Sequence, residues 1–242
     1  MLKLTRSPVA VIGTLAVLGG MLGLLGGITA AVAGGNPEVI AKAGAAASHD
    51  WAGLLLGADQ VAAAGALLGF GVVLSWMFAR EFTDGTITGL FALPISRGRI
   101  ALAKLIVYLL WTAVVGLAVT LEVFTLGLLL SYGIPDAATW RALGRLLVLV
   151  VLTGIVAVPV AWVATVARSL LAAVGGTILL VVAAQVGALA GAGGWMPLAA
   201  PALWALSAGI AVSIGQLVLT MAVSAIFATL TWMTWSRLQL DR

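Results

Sequence analysis

Six apolar runs divide the chain, at about residues 9–33, 60–79, 101–131, 143–166, 170–190 and 203–235. As a helix rising about 1.5 Å per residue, each is long enough to cross a hydrocarbon layer roughly 30 Å thick. The runs are continuous rather than alternating, which argues against barrel strands. Backbone polar groups in lipid must be satisfied inside their own segment, so the runs are expected to be helices. Composition agrees: 63% of the 242 residues are hydrophobic and 8% charged, whereas a soluble domain carries about 25% charged residues. The expectation is an all-α integral membrane protein, one transmembrane domain over residues 1–242. The first run is longer than the roughly 7–15-residue apolar core of a signal peptide and is read as a retained span.

Charge sets the orientation. With the N-terminus cytoplasmic, Lys3, Arg6, Arg80, Arg97, Arg99, Lys104, Arg168, Arg237 and Arg242 fall at inner ends. Only Lys42, Arg141 and Arg145 fall outside, with the acidic Glu38, Asp50, Asp59 and Asp136. Positive residues concentrate on the cytoplasmic side, so both termini are placed there. The net charge of +4 is scattered between apolar runs and reads as a topology signal, not as a nucleic-acid surface. The chain has no cysteine, which excludes disulfides, thiolate nucleophiles and Cys-ligated metals. One histidine argues against a zinc site. There is no Gly-rich phosphate loop ending in Lys-Ser/Thr, so the chain does not carry its own ATPase site.

Some runs are not plain spans. The third exceeds what a perpendicular crossing needs. Pro159 interrupts the fourth and is expected to kink it. Gly191–Pro197 and Pro201 precede the last run, predicting a short outer re-entrant or interfacial piece at 195–208 and a last span at about 210–235. The segment Gly34–Gly57 is read as an outer loop.

The most informative stretch is Arg80–Lys104, on the predicted cytoplasmic side between spans two and three. Asp84 is a candidate N-cap. Ile87, Leu90, Phe91 and Pro94 follow an i, i+3, i+4, i+7 pattern that places apolar side chains on one face. A short helix over 84–93, lying along the membrane surface, is predicted. Pro94 disfavours helical geometry at Leu93 and ends it. Ser96 is placed to cap the next helix, and Arg97, Arg99 and Lys104 to reach the interface with their charged heads. The result is an elbow: interfacial helix, proline turn, transmembrane helix.

The pattern Glu81, Asp84–Gly85–Thr86, Leu93–Pro94–Ile95–Ser96–Arg97 and Lys104 resembles the first cytoplasmic loop of ABC-2 type transporter permeases. The onward run Lys104–Trp111 is similar to the bacitracin-resistance and lantibiotic-immunity branch. The resemblance implies that 84–93 is a coupling helix docking on a separate ATP-binding cassette ATPase subunit. It places Arg80, Glu81, Asp84, Gly85 and Thr86 at that contact and Leu93, Pro94, Ile95, Ser96 and Arg97 in the elbow. It further implies a second permease subunit, identical or not, in the plasma membrane. Export of an amphipathic peptide, antibiotic or lipid would proceed by alternating access. ATP and Mg belong to the ATPase partner; this chain needs no cofactor of its own and performs no chemistry.

Other polar residues carry two readings each. Glu122, within the third run, is either a substrate-path or helix-pairing group or an interfacial carboxylate. Gln185 and Gln216 read as mid-span groups forming interhelical hydrogen bonds. Gly19, Gly23 and Gly27 share a face and suit close helix packing, within the subunit or between two. Ser48, His49 and Asp50 are adjacent in sequence and therefore do not make a catalytic triad. Two other functions compete: a membrane assembly or sensory component without transport, and a membrane-embedded enzyme, for which Glu122 stands without clustered partners.

Overall fold

A computed structural model describes residues 8–87, 89 and 94–238. Six helices in it are long and apolar enough to span a membrane, and no strand occurs among the described residues. In chain order, α1 is Pro8–Ala33 and α2 the short Pro37–Ala43. Helix α3 is Trp51–Thr83, α4 Arg97–Leu129 and α5 Ala137–Ala167. Helix α6 is Leu170–Leu189, α7 the short Ala200–Leu206 and α8 Ile214–Ser236. The spanning helices run up and down, so residues 34–50, 130–136 and 190–213 gather at one end and the 80–104 segment at the other.

Two helices form the centre. In α3 and α5, 56% and 67% of the most apolar stretch is buried, against 11%, 22% and 17% in α1, α6 and α8. The outer faces are lined by exposed apolar residues such as Ile106, Leu110, Val114, Leu117 and Leu121 on α4, or Ile178, Leu179 and Val182 on α6. Aqueous solvent would penalise such a surface by about 25 cal/mol per Å²; lipid does not.

Close approach between helices rests on glycine opposite a larger side chain. A Cβ on Gly71 of α3 would lie 2.2 Å from Thr177 of α6, and one on Gly127 of α4 would lie 2.2 Å from Trp51 of α3. Lipid supplies no hydrophobic drive between helices, so such contacts and interhelical hydrogen bonds hold the bundle. Ser75 and Thr177 hydroxyls meet at 3.3 Å, and Trp111 Nε1 donates to Thr14 Oγ1 at 2.9 Å. Gly19, Gly23 and Gly27 do not take part: nothing lies within 4 Å of a Cβ built at any of them.

Helix limits differ from the apolar runs at several points. Helix α3 begins at Trp51 rather than near 60, because the Asp50 carboxylate caps it, accepting from Gly53 N at 2.9 Å. It then holds one π-helical turn over Ala62–Ala66. Helix α5 is broken at Ala157–Val158, ahead of Pro159, into Ala137–Val156 and Pro159–Ala167. There Val158 N donates to Ile155 O, which leaves the Gly154 carbonyl free. The Tyr108 hydroxyl of α4 donates to it at 2.9 Å, so the proline break is satisfied from a neighbouring helix. Before α8 the chain forms a turn at Gly193–Trp195, then α7, then Ser213, whose side chain opens α8.

Candidate functional site

The 80–104 end is organised around Lys104. It rises from the second turn of α4, and its Nζ donates to the Met77 carbonyl of α3 at 2.6 Å and to the Glu81 carboxylate. The same ammonium lies 5.2 Å from the ring of Phe78 and 4.9 Å from that of Trp235 on α8, a distance at which ring faces attract cations. Trp235 is fully buried, stacks edge-on against Phe78 and Phe82, and donates Nε1 to Thr165 of α5 at 2.9 Å. One cation thus ties α3, α4 and α8 together, with α5 joined through Trp235.

Arg80 and Asp84 face the other way. They pair at 2.9 Å across one helical turn and are half exposed, with the Arg80 guanidinium 4.8 Å from the Trp76 ring. Asp84 closes α3, its backbone N–H donating to Arg80 O at 2.8 Å. Gly85 follows at φ +67°, a left-handed conformation that favours glycine after a helix end. Thr86 is exposed and Ile87 buried. The predicted helix 84–93 extends over residues 88 and 90–93, including Leu93, which lie outside the described residues. Pro94, Ile95 and Ser96 are exposed and extended or bent. The Ser96 carbonyl accepts from Arg99 N at 2.9 Å, while its hydroxyl makes no capping bond. Arg97 donates to the Leu238 carbonyl, binding the start of α4 to the chain after α8. Gly98 lets α8 approach: a Cβ there would lie 2.5 Å from Ser236 and 2.6 Å from Trp232.

The remaining sequence candidates scatter. Glu122 is half-buried on α4 with Oε2 unpartnered, in a groove with Leu18, Gly19 and Leu22 of α1. Gln185 is exposed on α6 and makes no interhelical hydrogen bond among the described residues. Gln216 is not mid-span. It stands in the first turn of α8, where its side chain accepts from Ser213 N at 2.9 Å and Ser213 Oγ accepts from Gln216 N at 3.4 Å. This reciprocal box was legible as Ser-x-x-Gln in the sequence. The Ser48 hydroxyl donates to Asp50 at 2.7 Å, with His49 exposed beside them.

Of the charges placed on the outer side, Asp59, Arg141 and Arg145 lie within spanning helices. Asp59 is in α3 and 5% exposed; Arg145 is in α5 and partly buried. They line a cavity of about 490 Å³ between α3, α5 and α7, at the end opposite Lys104. The apolar runs leave Asp59 just outside the second span and Arg145 at the outer edge of the fourth, whereas both helices continue past these charges to capping aspartates. The caps themselves are well held. Hydrogen bonds from Gly53 N and the Ser48 hydroxyl keep the Asp50 carboxyl below its ordinary pKa, and those from Thr139 do the same for Asp136.

A bundle of six apolar helices with an apolar outer face defines a multi-pass membrane protein. The chain belongs to the ABC-2 family transporter proteins, whose family model matches residues 1–184. No curated protein and no solved structure matches it. Membership makes it an ABC-transporter membrane component and implies an ATPase subunit as partner.

Proposed function

We propose that the chain is the permease subunit of an ATP-driven exporter, in the plasma membrane with both termini cytoplasmic, coupled to its ATPase through the segment 80–104. Two such subunits, identical or not, would enclose the path of an amphipathic substrate, a peptide, antibiotic or lipid. ATP and Mg would be held by the ATPase alone. The observation that carries the reading is the clamp around Lys104. A docking surface drives alternating access only if its displacement reaches the spanning helices. Here residues 84–96 connect α3 to α4 along the chain, and Lys104, Glu81 and Trp235 fasten both helices to α8.

On this reading the labour is divided within the segment. Arg80, Asp84, Gly85 and Thr86 stand toward the exterior and supply the contact. Glu81 turns inward to Lys104 and serves to transmit. Pro94, Ile95 and Ser96 form the exposed bend, and Arg97 anchors it. The test is co-purification of a cognate ATP-binding cassette subunit with this chain. The double variant Arg80→Glu/Asp84→Lys reverses both exposed charges while keeping their pairing, so it should remain folded yet retain at least about tenfold less ATPase. Retention equal to wild type would overturn the coupling role.

A further inference from the structure

The cavity at the opposite end carries a second site. Asp59 and Arg145 each lie nine positions after a capping aspartate, from 50 to 59 and from 136 to 145. Both are therefore about 13 Å along their helices from these caps, and both line the same cavity. Arg145 is the positive charge acting on Asp59. Yet the two do not close on each other. Among the described residues, ion pairs join Arg80 to Asp84 and Lys104 to Glu81, and none joins Asp59 to Arg145. Asp59 Oδ1 and Arg145 Nε are both buried without a hydrogen-bond partner.

That arrangement is costly. An unpaired buried polar atom forfeits roughly 1–3 kcal/mol, and a charged one more. The two side chains, of opposite sign and both on the lining of one cavity, are complementary to a ligand that offers a donor to one and an acceptor to the other. The other two carboxylates of the lining, Asp50 and Asp136, are engaged in capping and sit at the mouth. Apart from Thr139, the remaining lining, including Leu55, Leu56 and Leu206, is apolar. The space of about 490 Å³ suits a head group and the start of a chain.

We infer that this cavity binds a zwitterionic amphiphile, its ammonium on Asp59 and its anionic oxygen on Arg145. As a cargo site it rests on the permease reading; as a binding site it does not. Binding is therefore measured on the full chain purified without the ATPase, in a maltoside detergent, and its failure would leave the co-purification result intact.

The probes are dihexanoyl phosphatidylethanolamine, the phosphatidylglycerol of the same chain length, and phosphoethanolamine without acyl chains. The zwitterionic lipid should bind saturably and at least tenfold more tightly than the glycerol lipid. Asp59→Asn and Arg145→Gln should each raise its Kd at least tenfold. Ala138→Trp fills the mouth from an exposed position in the first turn of α5 and leaves both charges in place; it should raise the Kd as much, which keeps the test open if a charge variant does not fold. Binding of the acylated probe alone identifies a lipid source, and equal binding of the free head group a soluble one; either supports the site. Equal affinity for the two lipids, or wild-type affinity in all three variants, overturns it.

Discussion

Lys104 and Asp59 are both charges drawn between helices, and the molecule holds them in opposite ways. Lys104 meets a carboxylate, a backbone carbonyl and two ring faces. Asp59 faces a guanidinium across open space, with one oxygen unpartnered. The first arrangement is closed and its energy is spent within the fold, so it behaves as a strut. The second leaves solvation unmet, so its energy is available to something that enters. The two ends of one bundle are thus suited to different tasks, transmission at one and binding at the other.

The largest effect is expected at the strut. Lys104→Met removes the donor to Glu81 and Met77 and leaves a half-buried carboxylate unpaired, which should cost roughly 1–3 kcal/mol. A lowered thermal midpoint by tryptophan fluorescence checks this, and adding Glu81→Gln should restore most of the loss. No change in midpoint would show that the clamp is not a strut.

A smaller effect belongs to the cap of α3. Asp50→Ala should cost about 1 kcal/mol, whereas Asp50→Asn, also a good cap, should cost little. The wild-type carboxyl lies below its ordinary value of 3.8 in the fold. Its contribution is therefore fully present above 3.8 and lost as pH falls through the lower folded value. Thermal midpoints compared between wild type and Asp50→Asn should diverge only in that acid window.

The smallest effect has the opposite sign. Asp59→Asn removes a charge that has no bond to lose, so ligand-free stability should be unchanged or raised by less than about 1 kcal/mol. A loss comparable to that of Lys104→Met would make both ends struts and erase the contrast.

The sequence carried the bundle itself because lipid demands long apolar helices, and six runs of that kind are visible by inspection. The 80–104 end was legible for a related reason: Pro94, Gly85 and the charges around them interrupt the apolar pattern. The partners of those charges were not legible. The sequence reading places Glu81 with Arg80 at the ATPase contact, and only the packing of α3 on α4 turns it toward Lys104. The opposite end was misplaced for a physical reason. Asp59 and Arg145 sit at the edges of apolar runs in a one-dimensional reading, whereas the fold places them on one cavity although they are 86 positions apart in the chain. Local caps were better signposted: Asp50, Asp136 and Ser213 with Gln216 each carry the side chain that a helix start requires.

The π-helical turn at Ala62–Ala66 lies between Asp59 and Glu81 in the same helix. Such a turn accommodates one residue more than the α-helix around it. Each α-helical residue advances the azimuth by about 100°, so the surplus acts as a phase offset between the two halves of α3. Above it the helix points a carboxylate at α5; below it, the helix points one at α4. Without that offset, one of the two carboxylates would swing about 100° away from the cation it faces.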